Sequence, residues 1–514
     1  MTTDMRICAL LAVCMTLGAP VRAQDAQAAG GPMSAIDWLS DVIQAPVAPG
    51  PEGDDIARSA APERIEVAPL GQMAIDGVGL LPRNVTGLPR DFWGPTPAET
   101  LATLVRAQSP DLIPPARRFL KRILLAELDP PVDADVSHVL FLARLDALLE
   151  IGALEDAQAL VERAGVTADP DVFRRWFDIS LLRRTENRAC ATLRATPDVA
   201  PTFSARIFCL ARNRDWPAAA LSLETARALG ALTPVEADLM ARFLDPDLFE
   251  EDPFPPVQRP ITPLDYRMRA ALGEAPAPAT LPLAFNHALL GRTQGWKTRL
   301  EAAERLTRSG GITPRELFAL YLEREPAASG GVWDRVDALQ QFDIALLAND
   351  ADRVARTMPE AARVLRRAGL FDAFASVYGL RVARLDLEGD AGRLAREMVT
   401  LTPEAEAFAD MLTNPLHAAL ARGKGAVALA NTPLETAVAS AFAEGQSQQL
   451  PSPYRQLVSE GRFGEATLRA LRMLGQAQPD PGDTQTALQI LRQLGFESAA
   501  REIALALVLQ EGRA

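Results

Sequence analysis

The sequence predicts an all-α protein: stacked antiparallel helix hairpins forming a solenoid-like superhelix. Two helical bodies are joined by a proline-rich connector and follow a mostly irregular N-terminal arm. Three observations predict this. The tetrad Thr-Pro-x-acid recurs five times, at Thr96, Thr233, Thr262, Thr313 and Thr432. Apolar residues return at i, i+3, i+7 and i+10 beside glycine or polar elbows, one stripe of an α-helix. Eight prolines between Pro253 and Pro282 forbid a continuous helix there.

The tetrad is a helix start. A Thr hydroxyl at the N-cap accepts one of the backbone N–H groups that a helix leaves without partners. Proline fits the next position because its φ is already helical, and an acid at the third position reaches back to the cap. The competing reading, a proline-directed phosphorylation site, is disfavoured by the compartment that the N-terminus predicts.

Residues 1–23 read as a signal peptide. Arg6 closes a short basic region, 7–17 are apolar, and "VRA" places a cut after Ala23. The sequence "LAVC" at 11–14 resembles a lipobox, but bulky Val13 precedes its cysteine, which argues against a lipid anchor. No later segment approaches the roughly 20 consecutive apolar residues of a membrane span. The expected location is a bacterial periplasm. Cleavage would leave 51 basic and 65 acidic residues, a charge of −14, ill suited to nucleic acid. Only Lys121, Lys297 and Lys424 are lysines, so the basic residues are nearly all arginine, which reads as coding bias.

The arm, 24–95, is rich in Ala, Pro and Gly, and two islands break it. "SAIDWLSDVI" (34–43) sets Ile36, Leu39 and Ile43 on one helical face beside Trp38, a candidate partner-docking element. "GVGLLPRNVTGLPRDFWG" (77–94) is apolar and extended, and is expected to pack on its own body.

The first helical body is 96–249. In "HVLFLARLDALLEIGALEDAQALVERAG", Leu142, Leu145 and Leu149 line one helix, Gly152 breaks the chain, and Leu154, Ala157, Val161 and Ala164 line the next. The same offsets follow Trp216, Phe463 and Phe496, each read with Leu154 as a bulky core anchor facing an alanine three residues on. Cys190 and Cys209 sit at matching heights on consecutive antiparallel helices. In an oxidising compartment they are expected to form a structural disulfide worth about 3 kcal/mol.

"GALEDA" (152–157), "RDWPAA" (214–219) and "GRFGEA" (461–466) resemble the turn into the second helix of tetratricopeptide-type repeats. Gly461 to Gly495 spans 34 residues, that family's period. The resemblance implies helical-repeat architecture and a protein-binding habit, and no activity.

The connector, 250–282, is expected to be stiff and extended. The second body, 283–514, contains "PAASGGVWDR" (326–335), read as a helix stop followed by a core anchor at Trp333. No motif for catalysis, metal or cofactor stands out. His138, His287 and His417 are isolated in apolar stretches, and no phosphate loop, dinucleotide fingerprint or Cys/His cluster occurs. The expected function is a non-catalytic periplasmic scaffold or adaptor that holds another envelope protein. The alternative is a peptidoglycan-processing enzyme or accessory subunit, resembling the helical domains of lytic transglycosylases, with Glu497 as its acid.

Overall fold

A computed structural model describes residues 75–512, apart from 168, 278–279, 445–449 and 477–479. The helix 34–43 and its Ile36, Trp38, Leu39 and Ile43 therefore lie outside the described residues. Those that are described belong to one compact unit, Gly71–Ala514. It is all-helical: twenty-three α-helices and several 3-10 turns, with no strand among the described residues and one isolated bridge between Leu81 and Ala126.

Thr-Pro-x-acid starts helices as its chemistry requires. Thr233, Thr262, Thr313 and Thr432 each cap a helix, their hydroxyls accepting the N–H three residues on. Thr233 with Glu236 and Thr313 with Glu316 complete reciprocal capping boxes. Thr96 departs from the pattern. The helix Ala98–Arg106 is capped at Pro97, and its first N–H donates to Asp133 Oδ1 at 2.8 Å, so a carboxylate 35 residues away takes the place of the threonine.

Consecutive helices pack as hairpins, most extensively Val332–Leu347 against Ala351–Arg367. The apolar cores, however, do not divide at 250–282. One core unites residues 88–288 with 405–508, and the other holds 296–398. The first exists because the two ends of the described chain meet. Ala98–Arg106 packs on Phe463–Leu474, and Pro114–Leu125 packs on Glu497–Glu511.

The island 77–94 belongs to that meeting. Leu88, Phe92 and Trp93 are completely buried. Gly464 N–H donates to Phe92 O at 2.7 Å, and a Cβ on Gly464 would stand 2.5 Å from the Trp93 ring. The glycine of "GRFGEA" is therefore there for close approach.

The proline-rich segment is docked rather than free. Pro263–Ala271 within it is a helix packed on Pro170–Arg183 and Pro234–Leu244. Two buried arginines hold its extended part. Arg242 donates to the carbonyls of Phe249, Asp252 and Pro253, and Arg269 to those of Pro255 and Pro256. A proline-rich segment is short of N–H donors for its carbonyls, and a guanidinium fork supplies several at once.

Candidate functional site

The predicted site residues scatter. Cys190 and Cys209 form the disulfide, with S–S 1.97 Å and Cα–Cα 4.9 Å, tying Glu186–Ala195 to Phe203–Arg212. Leu154 is fully buried, at an elbow that Leu283 and Leu306 cover. Phe463 is half-buried, and Phe496 packs its ring on Phe92 and Phe119 at centroid distances of 6.1 and 5.3 Å.

Trp216 is a correction. Expected as a core anchor, it is 48% exposed. It opens the helix Trp216–Ala228, where Cβ tilts toward the N-terminus and carries the indole past the end of its neighbours. Ala219, Leu223 and Ala226 form the buried face instead. Leu221, at 70%, and Leu229 are exposed on the same outer helix.

The arginines have a structural use that composition hid. Arg144, fully buried, donates to Leu124 O at 2.8 Å, Asp76 O at 3.0 Å and Ala126 O at 3.1 Å. Burial pulls its pKa down to about 10, against the pull of Asp76. Elsewhere an arginine repeatedly closes the C-terminal end of a helix from a neighbouring element. Arg117 donates to Arg308 O, Arg308 to Ala368 O at 3.0 Å, Arg501 to Ala421 O at 3.1 Å and Arg492 to Ala441 O at 2.6 Å. A cation is favoured there by the negative end of the helix dipole.

These clasps decide how a cleft of about 260 Å³ between the two cores is read. Arg117, Arg118, Lys121 and Arg308 line it with Ile312, Leu370 and Ala373. Arg117 and Arg308 are engaged with carbonyls, Lys121 pairs with Asp156 at 2.6 Å, and Arg118 with Glu502 at 2.8 Å. Each cation is engaged within the junction, by carbonyls or by a carboxylate.

A second cavity, about 450 Å³, differs in kind. It lies along Val332–Leu347 and the preceding loop, lined by Glu325, Trp333, Asp334, Asp337, Gln340 and Ile344 among others, with three carboxylates and no cation in its lining. Trp333 is half-buried, packed on the second core with its ring 5.2 Å from that of Trp296 at a tilt of 47°, and its other side walls the cavity. Ile344 and Leu347 are 52% and 67% exposed on the same helix. The neighbouring helix Ala351–Arg367 presents exposed Arg353, Arg356, Arg363 and Arg367 along one stripe. The signal was in the sequence: "ADRVARTMPEAARVLRR" repeats arginine at helical intervals, and Trp333, Asp334 and Asp337 share the next helix back.

Catalytic geometry is sparse. Among the described residues, no group of three His, Cys, Asp or Glu is placed to hold a metal. His287 is buried, with Nε2 donating to Gly152 O at 2.6 Å. His138 precedes the helix Val139–Glu150 rather than lying within it, at φ 49°. Glu497 accepts from Arg492 Nε at 2.9 Å in an ion pair at the start of the last helix. No helix among the described residues is long and apolar enough to cross a membrane. Comparison with protein families, curated proteins and solved structures finds no match.

Proposed function

We propose that this chain is a non-catalytic scaffold or adaptor of the bacterial periplasm, exported by the leader at 1–23. It holds another envelope protein on a surface of stacked, tetratricopeptide-like hairpins. The observation that carries this reading is the placement of large apolar side chains on outer helix faces. Trp216, Leu221 and Leu229 stand in water on one helix whose inner face is already complete. Leu221 and Leu229 fall toward one side of this helix and Trp216 stands at its first turn, exposed apolar groups of the kind protein interfaces use. Glu497, the acid of the alternative reading, is by contrast engaged in an ion pair with Arg492.

The test is a photo-crosslinking amino acid at position 221 in cells, with adducts identified by mass spectrometry. A discrete protein adduct that disappears in Trp216→Glu supports the reading. The absence of any adduct, or one indifferent to Trp216→Glu, removes this helix as the holding surface. The mature chain without residues 24–74 should give the same adduct if the arm is dispensable. That truncation keeps Leu88, Phe92 and Trp93, which the core needs.

A further inference from the structure

We propose that the hairpin Val332–Leu347/Ala351–Arg367 is a self-association surface, in which the carboxylate groove of one copy receives the arginine stripe of a second copy of this chain. This surface would act whether or not the chain is exported or holds an envelope partner.

Both halves of the contact are on one chain. The groove carries Glu325, Asp334 and Asp337 with no cation in its lining, walled by the Trp333 ring. Asp334 accepts the Gly330 N–H at 2.7 Å and Asp337 accepts the Gln341 amide at 2.8 Å; Arg363 of the same copy attracts Asp334 across the hairpin without closing an ion pair with it. The stripe is complementary. On Ala351–Arg367, residues 353, 356, 360, 363 and 367 fall within a narrow sector of the helix, four arginines and Glu360. Arg363 pairs with Glu360, which leaves Arg353, Arg356 and Arg367 in excess.

Apolar surface sits at the same place. Ile344 and Leu347, more than half exposed, extend the groove along its helix, and arginine stems cover such surface while their heads reach carboxylates. The half-buried Trp333 ring offers a face over which a guanidinium is attracted. The whole chain is acidic, yet this helix face is basic. Opposite charges on neighbouring helices of every copy make copies complementary to one another, and long-range repulsion between them is screened beyond about 10 Å at 0.1 M salt.

The experiment is sedimentation of the purified full chain at tens of micromolar in about 0.1 M salt. The wild-type chain should associate, at least tenfold more weakly in about 1 M salt, where screening reaches within roughly 3 Å. Asp334→Arg with Asp337→Arg, and separately Arg353→Glu with Arg356→Glu, should each be monomeric. An equimolar mixture of the two variants should associate again, since each supplies the half the other lost. Thermal melting controls for folding. Should a reversal lower the melting temperature, the size-preserving Asp337→Asn and Arg356→Gln variants replace it and should weaken association severalfold. A monomeric wild-type chain, variants that associate like wild type, or a mixture that stays monomeric would each overturn the proposal.

Discussion

At the scale of single residues, two ionisable groups, buried His287 and half-buried Asp178, give the fold opposing responses to acid. His287 is held neutral by burial, which lowers its pKa to about 4, although its bond to Gly152 O pulls the other way. A base with a depressed folded pKa contributes stability that is complete above its unfolded value, near 6.5, and is lost as pH falls toward 4. The shift corresponds to about 3 kcal/mol. Asp178, in the helix Pro170–Arg183, behaves oppositely. Burial raises its pKa to about 6 despite Arg174 and Arg175. Its contribution is present below pH 3.8 and is lost as pH rises through about 6. The two windows overlap, so the parent chain shows only their difference. Urea unfolding across pH 4–8 separates them. His287→Gln should flatten the loss of stability on the acid side. Asp178→Asn should stabilise the chain at pH 8 and leave it unchanged at pH 4. A His287→Gln chain that is as acid-sensitive as the parent would show that His287 is not the group that titrates.

At the scale of elements, local chemistry was legible and long-range partnership was not. Four of the five Thr-Pro-x-acid starts cap the helices they announce, because capping is decided within four residues. Thr96 fails because Asp133 arrives from elsewhere. The disulfide was legible because two cysteines flank one connection at equal distances. Trp216 and Leu154 occupy the same position after equivalent elbows. One is exposed and the other buried according to whether a distant segment covers the elbow, which no local pattern encodes. Gly464 shows the reverse, a residue whose repeat-like motif concealed a tertiary reason. A methyl group there would meet the Trp93 ring at 2.5 Å beside the Phe92 carbonyl. Gly464→Ala should therefore cost about 1–3 kcal/mol by overpacking, although alanine is the better helix former. Denaturant titration checks this, with Gly512→Ala, at the end of the helix Glu497–Glu511 where a Cβ meets nothing closer than 3.6 Å, as the comparison. An equal or stabilising effect at 464 would mean that the indole can move aside.

At the scale of the whole described unit, the sequence suggests two bodies in tandem, whereas the cores join the two ends of the described residues and set the middle apart. Periodicity announces helices but is silent on which of them meet, since any apolar stripe fits many others. The joint between ends is specific. Phe92, Phe119 and Phe496 form one aromatic cluster, Gln108 Nε2 donates to Leu468 O at 3.0 Å, and Arg118 pairs with Glu502. It follows that a lesion at the C-terminal end must be felt at the N-terminal one. Phe496→Ala removes the ring that Phe92 and Phe119 pack on, at a cost of about 3–5 kcal/mol for a buried phenylalanine. In hydrogen exchange, the helices Ala98–Arg106 and Pro114–Leu125 should lose protection together with Phe463–Leu474 and Glu497–Glu511, almost four hundred residues apart in sequence. Val332–Leu347 and Ala351–Arg367, in the other core, should lose less, since local opening follows cooperative units. Exchange that quickens only after residue 452 would instead mean that the ends touch without sharing a core. The helical stack would then unfold from its terminus inward, as tandem repeats do.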